Sequence, residues 1–458
     1  MQRRDFLRAA AALGLPATLA ACGGGTGNGG NGGAIPKITG FTSDKQQYFY
    51  GDRAILTPTF SGGAGRIEPG SITVTSGSPV TVGPLSTVTS YRLIVSGGAS
   101  EAVADIGLNV SYRNTFATVQ MGFARASHVA VEGDDGRILI IGGEDNGSAF
   151  PSDVMAFHPQ NDTFARIGAL TTGRVQHTAT TLGDGTVLIY GGSRALTGTP
   201  IAERFNPRTG QSRATNTQPA SNRQYHTATL LADGRVMIAG GYTPGGGLIG
   251  DTVEIFDPQT EQFTRLSMRL AVRRYGHTAM RITTNHVLLY GGITSSGAAA
   301  APELYDVQGQ SSSIMPMPGF EQSARFLAAG VKLAGGNFLS IGGDDFTNAQ
   351  PQRTVARIAG GGLAITPGGQ LQLPRTLLAA APLADGRALV TGGATTVASI
   401  PTATTELLSP NTGTSVTGPA MATARLNHTA SLMINGKVLV IGGNGPDRSA
   451  LATAEIYG

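Results

Sequence analysis

The 458-residue chain has one cysteine, Cys22, and no tryptophan. A single cysteine excludes any intramolecular disulfide. Only 14% of the residues are charged, and the formal net charge is +4. Half of that excess lies in the first eight residues, where Arg3, Arg4 and Arg8 outnumber Asp5. No run of Lys and Arg marks a nucleic-acid groove, so no nucleic-acid partner is expected. Long apolar runs are also lacking. The stretch from Ala9 to Ala21 is too short and too rich in alanine to span a bilayer stably. G-x-S-x-G, H-E-x-x-H and P-loop motifs are missing, which removes the commonest local signatures of hydrolases and nucleotide enzymes. What is abundant is glycine, 67 residues, within a chain that is 40% hydrophobic. Short β-branched runs between glycine-rich turns point to an all-β protein with a packed core.

The leader MQRRDFLRAAAALGLPATLAAC places Arg3-Arg4 before Phe6 and Leu7. It resembles a twin-arginine export signal, and Leu19 to Cys22 resembles a lipobox. The resemblance implies removal of residues 1–21 and a diacylated Cys22 as the mature N-terminus. Residues 22–34 then form a glycine-rich tether. Gly23 after the cysteine favours the outer membrane over the inner. The expected location is therefore the cell envelope, periplasm or cell surface, with the membrane as a partner through the lipid anchor.

Residues 35–112 carry period-2 alternation in ITVTSG, PVTV, SYRLIVSG and ADIGLNVSY. Tyr91, Leu93 and Val95 are expected on one face, and Ile106, Leu108 and Val110 on another inner face. The segment resembles a bacterial immunoglobulin-like β-sandwich in architecture, without the cysteine pair and tryptophan of antibody domains. A spacer role is expected for it.

Residues 113–458 repeat. Gly-Gly pairs fall at 142/143, 191/192, 240/241, 291/292, 342/343, 392/393 and 442/443, spaced 49 to 51 residues apart. In one unit, HTATTL is an inner strand, Asp184-Gly185 a turn, TVLIYGG a second strand, ERFNP a third and the run near Gln211 to Asn216 a fourth. The third strand recurs as VEIFDP, PELYDV, TELLSP and AEIYG, and the fourth as DTFARI and EQFTRL. A period near 50 with this content resembles the kelch family and implies a seven-bladed β-propeller, all-β, preceded by the small sandwich. Phe164 and Phe263 stand where kelch blades usually carry tryptophan. The repeat runs out after a third strand at Gly458, while an unmatched strand, residues 114–119, precedes the first unit; it is expected to complete the last blade and close the ring.

An arginine recurs in every unit: Arg125, Arg174, Arg223, Arg274, Arg325, Arg375 and Arg425. Three residues later comes a histidine in five of them: His128, His177, His226, His277 and His428. Units five and six have Ala328 and Leu378, and both are read as having lost the third-strand motif. The R-x-x-H segments are expected on the same face as the variable loops between second and third strands. Such loops on a repeated frame are where a partner binds. Two roles are open. These residues form a rim that binds a polyol, carboxylate or sulfate, or they hydrogen-bond the backbone of their own blades. A motif repeated in every blade favours the second. No metal is expected, because equivalent positions around a seven-bladed ring stand too far apart to meet the 2.0–2.1 Å, roughly, of zinc ligation. His158 and His286 are expected at the surface, and Asp134, Asp135, Asp145, Asp344 and Asp345 in turns.

The architecture is similar to that of the galactose-oxidase-like group, whose copper chemistry uses a tyrosine crosslinked to cysteine. No cysteine follows Cys22, so that crosslink cannot form here. Sialic-acid epimerases also use kelch propellers, but none of their acid or base residues is identified. The sequence favours a lipid-anchored binding module, a monomer without cofactor, that binds a glycan or an envelope protein. A carbohydrate-active enzyme on the loop face, or a structural member of an envelope complex, are the alternatives.

Overall fold

The computed structural model describes residues 34–458, apart from 87–89, 148–149, 195–200, 244–246, 249, 295–296, 298–299, 317–318, 320–324, 346–349 and 362–363. Arg3, Arg4 and Cys22 lie outside the described residues. The chain divides into two compact units, Met1–Ser111 and Tyr112–Gly458.

The first unit holds two larger sheets and one short two-stranded pairing. One larger sheet is built of Lys37–Ser43, Ala54–Ser61 and Val80–Val82; the other of Ile72–Val74, Ala64–Glu68, Ser90–Gly97 and Ser100–Gly107. Alternation decides what is inside: Tyr91, Leu93 and Val95 are buried with Leu56, Ile67 and Val82, while Arg92 between them pairs with Asp105 at 2.7 Å in solvent. Leu108 is buried, but the strand ends at Gly107, and Val110 belongs to a separate short strand that pairs parallel with Tyr48–Phe49.

The second unit contains, among the described residues, seven antiparallel sheets of the same plan. In blade two, Thr178–Thr181, Val187–Tyr190, Ala202–Asn206 and Gln211–Ala214 lie side by side. The inner strands Val129–Glu132, Thr178–Thr181, Thr227–Leu230, Thr278–Arg281, Ala329–Lys332, Ala379–Pro382 and Thr429–Leu432 touch in sequence order, and the last touches the first. That cycle is a propeller around a central channel.

Apart from His286, Ser340 and Thr391, the second strands are apolar, because both faces are covered. In blade one, Ile138 and Ile140 pack with Leu439 and Ile441 of blade seven, whereas Leu139 and Ile141 pack with Val187 and Ile189 of blade two. One strand thus contributes to two cores. Phe164 packs on Phe157 at 4.9 Å and Phe263 on Phe256 at 4.9 Å, so phenylalanine fills the outer aromatic position.

Blade seven is made of both ends of the unit. Phe116–Gln120 pairs with Thr453–Tyr457, from Phe116 opposite Tyr457 to Gln120 opposite Thr453. Tyr112, assigned from sequence to the first domain, belongs to the second. Its ring stacks on Tyr457 at 5.1 Å, and its hydroxyl donates to the Gly436 carbonyl and accepts from the Ala384 amide. Blade five departs from the plan: its outer strands, Gln350–Ile358 and Ile365–Arg375, are nine and eleven residues long. The fourth strand therefore runs without a loop into Arg375 of blade six.

Candidate binding site at the mouth of the channel

The repeated arginines are inside the protein, each at most 2% exposed. In six blades Nη1 donates to the carbonyl of the first glycine of the Gly-Gly pair, as Arg174 to Gly191 at 3.0 Å and Arg375 to Gly392 at 2.8 Å; Arg325 donates to Ser340 instead. A glutamate of the third strand faces the guanidinium in five blades. Arg174 pairs with Glu203, Arg223 with Glu254 at 2.6 Å, Arg274 with Glu303 at 2.9 Å, Arg375 with Glu406 at 3.1 Å and Arg425 with Glu455 at 2.7 Å. These carboxylates are at most 2% exposed. Four of them, Glu203, Glu303, Glu406 and Glu455, also accept backbone amides of the segment leading to the arginine: Thr171, Ala271, Gln372 and Ala422; Glu254 Oε2 has no hydrogen-bond partner among the described residues. A buried ion pair with its remaining lone pairs satisfied in this way offsets its desolvation. Blade six keeps its glutamate, contrary to the sequence reading; the position is Met155 in blade one and Ala356 in blade five.

The backbone of the same arginine joins neighbouring blades. The amide of the second glycine donates to the arginine carbonyl of the next blade: Gly143 to Arg174, Gly192 to Arg223, Gly241 to Arg274, Gly292 to Arg325, Gly343 to Arg375, Gly393 to Arg425 and Gly443 to Arg125, all at 2.8–3.0 Å. Both glycines of each pair have positive φ. The first also meets the next histidine: a Cβ on Gly191 would lie 2.8 Å from His226 Cε1, and one on Gly240 2.8 Å from His277 Cε1. Glycine is required there by conformation and by space.

The histidines are 5–6% exposed. Four of them share a hydrogen bond with a threonine hydroxyl of the preceding blade: His128 with Thr429, His226 with Thr178, His277 with Thr227 and His428 with Thr391, at 2.8–3.0 Å. Val129 occupies this position beside His177, which lacks the bond. Burial, reinforced by the adjacent arginine, presses His128, His177 and His226 down to about 3. Neutral, buried rings and internally paired guanidiniums do not make an exposed cationic rim. His158 and His286 are half-buried rather than at the surface, and His286 Nδ1 bonds Thr283.

What faces the channel is the second of the two residues between arginine and histidine. Ser127, Gln176, Tyr225, Leu327, Leu377 and Asn427 all have φ between 52° and 56°, as does Gly276 at 65°. Six non-glycine residues are held in the left-handed region at one register, and their side chains differ from blade to blade, as do those of the residues directly after the arginine. Ser127 donates its amide to Asn427, Asn427 to Leu377, Leu327 to Gly276 and Gly276 to Tyr225, which draws the ring together. All of these but Gly276 line a cavity of about 580 Å3, together with His128, His177, His226 and His428. One sector is polar: Ser127 bonded to Glu144 at 3.0 Å, Asn427 bonded to Asn444 at 3.1 Å, and Gln176, whose amide donates to Tyr225 Oη at 2.6 Å. The opposite sector, Leu327, Ala328, Leu377 and Leu378, is apolar, and it is where histidine is replaced. Tyr225, Tyr275 and Phe326 pack together with centroids 5.7–6.4 Å apart. Among the described residues no Lys or Arg lines the cavity. Sequence reasoning passed over this position because attention went to the residues that repeat; its variation beside fixed neighbours was the available signal.

A family model described as the KLHDC2/KLHL20/DRC7 Kelch-repeats domain matches residues 86–292. The fold is a Kelch-type propeller. No curated protein matches the sequence. Among solved structures, a fungal alcohol oxidase of the AA5 family, in complex with copper, is similar with a TM-score of 0.63 and 16% identity, over 75% of this chain and 76% of that one. At that identity the likeness is one of fold. Among the described residues no three of His, Cys, Asp and Glu stand together as metal ligands, and four arc histidines bond threonine hydroxyls.

Proposed function

We propose that this protein is a lipid-anchored envelope module whose propeller binds a neutral glycan at the channel mouth. The observation that carries the reading is the lining of that cavity. With all seven arginines turned to the frame, the mouth offers, among the described residues, amides, hydroxyls, a tyrosine, four buried imidazoles and the Glu144 carboxylate, but no Lys or Arg. Of the polyol, carboxylate and sulfate classes left open by the sequence, this chemistry suits the polyol. Hydroxyls meet Ser127, Gln176 and Asn427, and the apolar face of a sugar ring meets Tyr225. Binding is favoured over hydrolysis because Glu144 is the one carboxylate in the lining. Glycosidic cleavage uses a pair. The anchor rests on the Arg3-Arg4 and Cys22 motifs; among the described residues no helix is long and apolar enough to cross a membrane.

A glycan array probed with the full chain tests the reading. Binding to a neutral oligosaccharide that is lost in Tyr225→Ala and Asn427→Ala, with melting temperature retained, is expected. Selective binding of anionic glycans, or a neutral-glycan signal indifferent to both substitutions, contradicts it.

A further inference from the structure

The other end of the channel carries a second cavity of different chemistry. The inner strands Thr227–Leu230, Thr278–Arg281 and Ala329–Lys332 end there. A cavity of about 330 Å3 opens among Leu230, Met280, Arg281, Lys332, Phe338 and Ile358. Met280, Phe338 and Ile358 belong to one packed apolar cluster. Arg281 and Lys332 are exposed and, among the described residues, neither side chain makes an ion pair or hydrogen bond. Among the described residues no carboxylate lines the cavity.

The repeat makes this absence informative. In blades one, two, three and six the turn after the inner strand carries Asp135, Asp184, Asp233 or Asp385, and each of these is ion-paired to an arginine. The same turn in blades four and five is fixed by the bonds Ile282 N to His286 O and Leu333 N to Asn337 O. Its aspartate position is Thr284 in blade four and Gly335 in blade five. The local acid is missing from both blades that supply the free cations.

We propose that this cavity binds a small organic carboxylate with an apolar body. The planar guanidinium of Arg281 matches a carboxylate bidentately, and Lys332 adds a second positive charge. The apolar floor selects against a bare inorganic ion. The volume is at the small end of ligand pockets, roughly 300 Å3 upward, so the ligand is a small molecule. The two cavities share no lining residue, so this site stands independently of the glycan reading.

The full chain is titrated calorimetrically with benzoate, with benzamide as its uncharged shape analogue, and with inorganic phosphate. Benzoate is expected to bind about tenfold or more tightly than either of the others. Arg281→Gln with Lys332→Gln is expected to weaken benzoate by a similar factor at unchanged melting temperature. The proposal is overturned by equal affinities for benzoate and benzamide, by phosphate binding as tightly as benzoate, by an unaffected double variant, or by no saturable binding of benzoate.

Discussion

The amide of Gly443 donates to the carbonyl of Arg125 at 2.8 Å, joining the last blade to the first. It is the seventh instance of a bond made between every pair of successive blades. The residue that fixes its own blade with a guanidinium thus fastens the neighbouring blade with its backbone. Gly443 has a φ of 94°, and a Cβ there would lie 2.6 Å from the Leu426 carbonyl.

Gly443→Ala is therefore expected to destabilise the propeller by about 1–3 kcal/mol. Gly107, with nothing near its Cβ position and no positive φ, is the control, and Gly107→Ala is expected to stay within about 0.5 kcal/mol. Urea unfolding of the two variants provides the comparison.

Deleting residues 113–120 removes the strand that covers Thr453–Tyr457. An open sheet edge and the loss of the Tyr112 clamp on Tyr457 follow. A lower melting temperature and concentration-dependent association, seen by calorimetry and light scattering, are the expected outcomes.

Removing one partner of an internal pair has a different effect from removing one at the surface. Glu455→Ala leaves Arg425 buried and uncompensated, for an expected loss of about 3–5 kcal/mol. Asp105→Ala breaks the exposed pair with Arg92, for at most about 1 kcal/mol. Chemical denaturation of both variants checks the contrast.

The histidines make stability acid-sensitive. His128, His177 and His226 are held near 3, and His277 and His428 well below the usual range, so the unfolded chain binds more protons than the folded one below about pH 6.5. Stability is complete above that pH and falls as pH drops toward 3, by up to about 1.4 kcal/mol per pH unit for each histidine. Melting curves from pH 7 to 4 should show a steep decline that His226→Gln makes shallower.

The frame was legible because its requirements are local and repeated. The Gly-Gly pairs must be glycine at seven places, and the displaced strand before Gln120 has the composition of the missing fourth strand. The arginine–glutamate pairing was not legible. Arg223 lies in the segment before the inner strand and Glu254 on the third strand of the blade, 31 residues on, and the glutamates in ERFNP and VEIFDP read simply as strand residues. Blade five was obscured by its two long outer strands, the second of which carries Gly368 and Gly369 and breaks the alternating pattern. The mouth was hidden for the opposite reason: Gln176, Tyr225 and Asn427 share a backbone conformation but no side-chain chemistry.

The central claim is that the recurrent arginines hold the propeller together and do not bind the ligand. Urea unfolding of Arg223→Ala tests it most directly. The account predicts a loss of about 3–5 kcal/mol, because Glu254 would remain buried without its partner. Wild-type stability in that variant, accompanied by loss of ligand binding, would contradict it.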